Sequence, residues 1–151
     1  MTITYFEEFQ VGQRRTTGSI TVTADEIKAF AGAYDPQVFH LDEAAAEDTF
    51  FGGLCASGWH TAALVMGLLV RGDILGGTPL IGASVDHLRW PMPTRPGDIL
   101  TAVAEVIEKR ESRSRPDRGI LRIAVTATNQ EGSVVETFES AVVVPRRVPS
   151  D

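Results

Sequence analysis

Between Gly58 and Arg71 the chain reads GWHTAALVMGLLVR, a stretch that is apolar almost all the way round when wound into a helix. Trp59, Ala62, Ala63, Leu64, Val65, Met66, Leu68, Leu69 and Val70 leave it no polar face. A helix of that kind has to be covered by something. A bilayer is not the cover, because the run holds His60 and Thr61 and then meets Arg71 and Asp73. It is also shorter than the ~20 residues that a crossing requires. The helix therefore belongs in a protein core, and the rest of the chain must wrap it.

The wrapping is legible further on. After a loop over 72–79 the apolar period changes from helical to two. Strands are predicted over 80–90, 98–112, 119–130 and 134–145. In the third, Leu121, Ile123, Val125 and Ala127 face one way while Arg122, Thr126 and Thr128 face the other. Gln130-Glu131-Gly132 predicts a tight hairpin, 113–118 a longer charged connection, and the tail 145–151 a frayed end. Pro91, Pro93, Pro96 and Gly97 interrupt the sheet between two strands. The expected fold class is α+β, a curved antiparallel sheet around a central apolar helix. An open sheet leaves edges that a second copy would cover, so a homodimer or an assembly of dimers is expected. The 151 residues are most economically one domain, 1–151, large enough to fold without disulfides or a metal.

Ahead of the helix the signals are local. After a polar opening, residues 19–23 alternate like a strand. Thr23 and Glu26 have the spacing of a capping box, and Ile27, Phe30, Ala31 and Tyr34 then form one predicted buried stripe. Asp35-Pro36 stops that helix, since the residue before proline is pushed out of the α region. Asp42 is placed to cap a brief alanine-rich helix over 43–48, and Gly52-Gly53 to end it. Ser57 is the expected N-cap of the apolar helix.

Charge and cysteine content restrict the partners. A net charge of −6 argues against a nucleic-acid or anionic-membrane surface. The single Cys55 cannot form an internal disulfide, and the start MTITYFEEFQ lacks the features of a secretory signal. The cytoplasm is the expected location.

Asp35 and His40 lie five residues apart on an irregular segment just ahead of a Gly-rich loop, FGGLCASG. A carboxylate beside an imidazole raises its basicity, fixes its tautomer and leaves one ring nitrogen to exchange a proton near neutral pH. The bland alternative, a turn cap and a packed histidine, has an equal claim on spacing alone. Gly58 adds a helix-opening amide that a carbonyl oxygen can approach closely, with Ser57 beside it. His60 and His87 are expected to be structural, and Cys55 a small buried residue. No histidine pair has metal-ligand spacing, and Ser57 lacks the setting of a hydrolase nucleophile. Arg89 and Arg95 flank a stiff proline-rich turn of the kind that can hold nucleotide phosphates. Phe39, Phe50, Phe51, Leu54 and Trp59 fit an apolar pocket and a core equally well.

Together these residues resemble a family, the MaoC-like dehydratases of hotdog fold, which include the (R)-specific enoyl-CoA hydratases. The resemblance lies in AFAGAYDPQVFHLDEAAAEDTFFGGLCASGWHTAAL, with support from DHLRWPMPTRPGDIL and the closing strands. Asp35, His40, Asp42 and Gly58 match the family pattern in order. The resemblance implies reversible hydration of a trans-2-enoyl thioester to an (R)-3-hydroxyacyl thioester. Asp35 and His40 would hold the water, and the Gly58 amide would polarise the thioester carbonyl. It also implies a coenzyme A groove at a dimer interface, with acyl-CoA as substrate and no cofactor or metal. The chain departs from the pattern in having Pro36-Gln37-Val38-Phe39 where Asn-Pro is usual, so Gln37 is expected to orient in place of the Asn. It also has Ser57 where a His often precedes the Gly. Two further readings remain open at this point. One is a hotdog acyl-CoA thioesterase, disfavoured because 59–70 carries no carboxylate; the other is a non-catalytic acyl-CoA-binding subunit.

Overall fold

A computed structural model describes residues 2–147 of the chain. Among them a short 3-10 turn, Phe6–Glu8, leads into β1 (Arg14–Thr21), α1 (Ala24–Tyr34), α2 (Val38–Leu41) and α3 (Glu43–Ala46). The apolar helix is α4 (Gly58–Arg71), followed by β2 (Ile81–Arg89), β3 (Ile99–Glu111), β4 (Arg118–Thr128) and β5 (Val134–Pro145). The strands make one antiparallel sheet in the order β1-β3-β4-β5-β2. Consecutive strands β3, β4 and β5 pair as hairpins, and Gly132 takes φ +79° in the β4–β5 turn.

The predicted alternation sets which side of the sheet is inside. Leu121, Ile123, Val125 and Ala127 of β4 are buried, as are Val142 and Val144 of β5 and Leu100 and Ala102 of β3. They meet Val65, Leu68 and Leu69 of α4 in one apolar cluster. α1 begins at the expected capping box: the Thr23 hydroxyl accepts from the Glu26 amide at 3.2 Å, and the Glu26 carboxylate accepts from the Thr23 amide at 3.4 Å. Asp42 caps α3 through the Ala45 amide at 3.0 Å.

Several expectations need correcting. β1 runs over Arg14–Thr21 rather than 19–23 and joins the sheet as an edge. Only Thr17 of it is buried, so it carries no apolar period; its backbone bonds to β3 make it a strand. α2, read as a plain connection, is a helical turn, and α3 stops at Ala46 rather than reaching 48. Tyr34 is 75 % exposed, because the last turn of α1 runs past the core; its ring packs against Phe30. His87, expected to be a satisfied structural residue, points outward from a bulge in β2 at φ +54°, with Glu139 as a charged neighbour 3.9 Å away.

The largest correction concerns α4. Trp59, Met66 and Val70 are exposed, since a single sheet covers only one side of the helix. Ile81 and Val85 on the outer edge strand β2 are exposed as well. At the end of β5, Arg146 pairs with Glu7 and Glu111, which ties down the start of the predicted frayed tail; residues 148–151 lie outside the described ones. Among the described residues no helix is long and apolar enough to cross a membrane.

Candidate active site

Asp35 is the C-cap of α1, and Pro36 forces the chain to turn there. Gln37 then folds back: its amide nitrogen donates to Asp35 Oδ1 at 2.6 Å and its backbone N–H to the Asp35 carbonyl at 2.8 Å. The single turn of α2 comes next and carries His40 inward, where it is buried. His40 Nε2 comes to 3.3 Å from Asp35 Oδ2. The structure thus brings the two expected residues together.

The hydrogen bonding fixes more than proximity. His40 Nδ1 lies 2.6 Å from the Cys55 carbonyl oxygen. A carbonyl only accepts, so Nδ1 carries the hydrogen and the lone pair of the neutral ring sits on Nε2. The tautomer is therefore set by the Cys55 carbonyl and not, as expected, by the carboxylate. Two acceptors, Nε2 and Oδ2, face one another and require a shared proton or a donor such as a water lying alongside both. Burial works to raise the Asp35 pKa, but the hydrogen bond from the Gln37 amide, with Ser57 and His40 close by, outweighs it, and the carboxyl lies below its ordinary value.

The loop between α3 and α4 delivers the third component. Gly52 takes φ +63°, a turn that a side chain would strain. Arg95 clamps this loop, its guanidinium donating to the carbonyls of Phe51 at 2.5 Å, Gly53 at 3.0 Å and Leu54 at 3.4 Å. Cys55 and Ala56 amides donate to the Phe39 and Thr94 carbonyls, tying the loop to α2 on one side and the proline-rich turn on the other. Ser57 occupies the N-cap position but its hydroxyl caps nothing; it is buried and closes no hydrogen bond among the described residues. The opening amides of α4, which have no intrahelical acceptors, are left without the side-chain cap expected of Ser57.

These elements surround a cavity of about 430 Å³ lined by Gln37, His40, Gly58, Thr61 and a wall of Phe39, Phe50, Phe51, Trp90 and Met92. Of the other two residues expected to suit an apolar pocket, Leu54 is core and Trp59 is exposed on α4. Gly58 is required by its neighbour: a Cβ there would sit 2.7 Å from the Trp90 indole. Thr61 donates to the Thr94 hydroxyl at 3.0 Å and holds the proline-rich turn against α4. Arg95 borders the site with its guanidinium turned to the loop carbonyls. Arg89 stands apart, in a separate open cavity of about 300 Å³ with His87 and Glu139.

His60 stacks on Phe30 with ring centres 4.8 Å apart, and burial lowers its pKa, which keeps it neutral. Among the described residues no three His, Cys, Asp or Glu side chains come together to hold a metal ion. Sequence reasoning missed Trp90 as part of the wall and Glu136 behind it. Glu136 Oε1 accepts the Trp90 indole N–H at 2.8 Å.

An antiparallel sheet of this order wrapped around one side of a long central helix is the hotdog fold. The chain belongs to the MaoC-like domain family, whose sequence profile matches residues 8–129. It is similar to the MaoC-like dehydratase from Rhodospirillum rubrum, with a TM-score of 0.89, 47% identity and coverage of 97% of this chain and 99% of that one. It is 34% identical to the uncharacterized protein YdeM of Bacillus subtilis over 93% of this chain and 98% of that protein. An (R)-specific enoyl-CoA hydratase from R. rubrum is 30% identical over 95% of this chain and 93% of its own length.

Proposed function

We propose that this protein is an enoyl-CoA hydratase, catalysing the reversible addition of water to a trans-2-enoyl thioester to give an (R)-3-hydroxyacyl thioester. The observation that carries the reading is the pair of facing acceptors, His40 Nε2 and Asp35 Oδ2, 3.3 Å apart beside the cavity. A water donating one hydrogen to each presents its oxygen lone pairs to the C3 carbon of the substrate. On attack, the oxygen bonds to C3, the pair takes up the water proton, and a proton is delivered to C2 as the enolate collapses. The negative charge that builds on the thioester oxygen meets the Gly58 amide at the open end of α4. Gln37 holds Asp35 from the side away from the histidine. Family membership and the (R)-specific hydratase among the relatives support the same reaction. No observation favours the thioesterase or the non-catalytic reading over it.

Residues 1–151 act as one MaoC-like domain in this proposal, in the cytoplasm, on acyl-CoA and without a cofactor. The working form is a homodimer, in which a second copy covers β2 and the exposed side of α4 and helps to form the coenzyme A groove. Arg95 serves by fixing the loop before α4. Arg89, on the edge strand that the partner would meet, is the arginine left for nucleotide phosphates.

The test is direct. Asp35→Asn and His40→Gln should each lower hydration of crotonyl-CoA by about 10²–10⁴-fold, followed as loss of the conjugated thioester absorbance, with far-UV circular dichroism unchanged. Undiminished turnover in either variant would remove the pair from the mechanism.

A further inference from the structure

Along β5 the inward-facing line runs Glu136, Phe138, Ser140, Val142, Val144. Its first member is a carboxylic acid with no exposed surface, paired in register with the buried Ala127 of β4. By core logic an apolar side chain belongs there. A buried carboxyl costs stability unless its oxygens are satisfied, and here they are only half satisfied. Oε1 accepts the Trp90 indole N–H at 2.8 Å, while Oε2 finds no partner among the described residues. Glu136 is thus a poor core residue whose one interaction is with the wall of the cavity.

Trp90 needs such an anchor. It comes directly after β2, is partly exposed, and lays its ring against Gly58 at the mouth of α4. The backbone beyond it is secured independently, through Thr94 to Ala56 and Thr61. Those bonds do not fix the indole's rotation. Its other aromatic contact, an edge-on approach to Trp59 at 5.4 Å, is with an exposed ring. The hydrogen bond to Glu136 therefore selects which way the indole faces.

We propose that Glu136 is a positioning residue: by pinning the Trp90 indole it holds the ring as the wall facing the Gly58 amide, and so sets the size of acyl group the cavity admits. The second half of this statement rests on the hydratase reading; the first does not. No step of the reaction passes through Glu136.

The experiment uses the full chain carrying Trp59→Phe, which leaves Trp90 as the only tryptophan. Glu136→Leu fills the same volume without an acceptor, and Glu136→Gln keeps the acceptor. In Glu136→Leu the Trp90 emission should shift to the red and lose near-UV circular dichroism. The preference for crotonyl-CoA over octenoyl-CoA, as a ratio of kcat/KM, should fall by about tenfold, the scale on which one pocket wall discriminates. Glu136→Gln should retain both properties. Trp90→Phe, which keeps a ring but no donor, should reproduce the loss of selectivity and serves if Glu136→Leu does not fold. Unchanged emission and selectivity in Glu136→Leu would overturn the proposal, as would Glu136→Gln failing as fully as Glu136→Leu. A parent without turnover, in which Glu136→Leu still moves the Trp90 emission, would remove the hydratase reading and leave the pin standing.

Discussion

His40 owes its chemistry to an atom outside the Asp–His pair. The Cys55 carbonyl accepts the Nδ1 hydrogen, so the lone pair of the neutral ring, on Nε2, faces the carboxylate and a common donor would satisfy both acceptors. Spacing offered both residues as candidates, but nothing in a five-residue separation says which ring nitrogen will be free. Glu136 was legible only in retrospect: a glutamate in register with Phe138 on an apolar face is a break in pattern that periodicity alone treats as noise. Burial pushes its pKa up to about 7, against an ordinary 4.5, the Trp90 bond opposing the shift. The folded protein holds this proton where the unfolded chain has released it, so stability falls as pH rises from 4.5 to about 7 and levels off above. Glu136→Gln removes that slope. In urea titrations across the pH range, the variant should gain up to about 3 kcal/mol on the parent between the two ends of the window. Parallel stability curves would show that the carboxyl is not protonated in the fold.

Among the elements, the loop from α3 to α4 matters most for the site, and three carbonyls on one guanidinium hold it. Arg95→Met keeps the stem and removes all three bonds, leaving carbonyls in a partly buried place without donors. Urea unfolding should register a loss of about 1.5–3 kcal/mol, the range for hydrogen bonds to a charged group. Crotonyl-CoA turnover should fall as well, because the Cys55 carbonyl and the Gly58 amide both hang from this loop. Normal stability in the variant would mean that the proline-rich turn alone fixes the loop. The sequence marked Arg95 as a candidate for phosphates because a long cation on a stiff turn looks free. Folding brings three backbone acceptors within its reach, and a guanidinium satisfies them better than water does. By contrast, the capping box at Thr23 and the cap at Asp42 form where expected, because their partners lie three residues away in the chain.

At the scale of the molecule, an apolar helix covered on one side by a single sheet leaves Trp59, Met66 and Val70 in contact with water. The edge strand β2 adds Ile81 and Val85. Such a surface is costly for a lone chain, and an unpaired edge invites pairing. The protein should sediment as a dimer or larger assembly in analytical ultracentrifugation. Val85→Lys, on the open edge, and Met66→Lys, on the helix, should together drive it to monomer and, if the coenzyme A groove is shared as proposed, abolish turnover. A stable, active monomer would locate the whole site within one chain.

By itself the sequence determined the helix and the four later strands, because each of these is written in periods and caps spanning a few residues; Asp35, His40 and Gly58 it offered only as candidates. Only the tertiary structure decided that β1 begins at Arg14, that Arg95 serves the loop, that Cys55 sets the histidine tautomer and that Glu136 reaches Trp90. Each of those depends on groups from 15 to 91 residues apart meeting in space, and which distant partner a polar group finds is settled by how the apolar core closes.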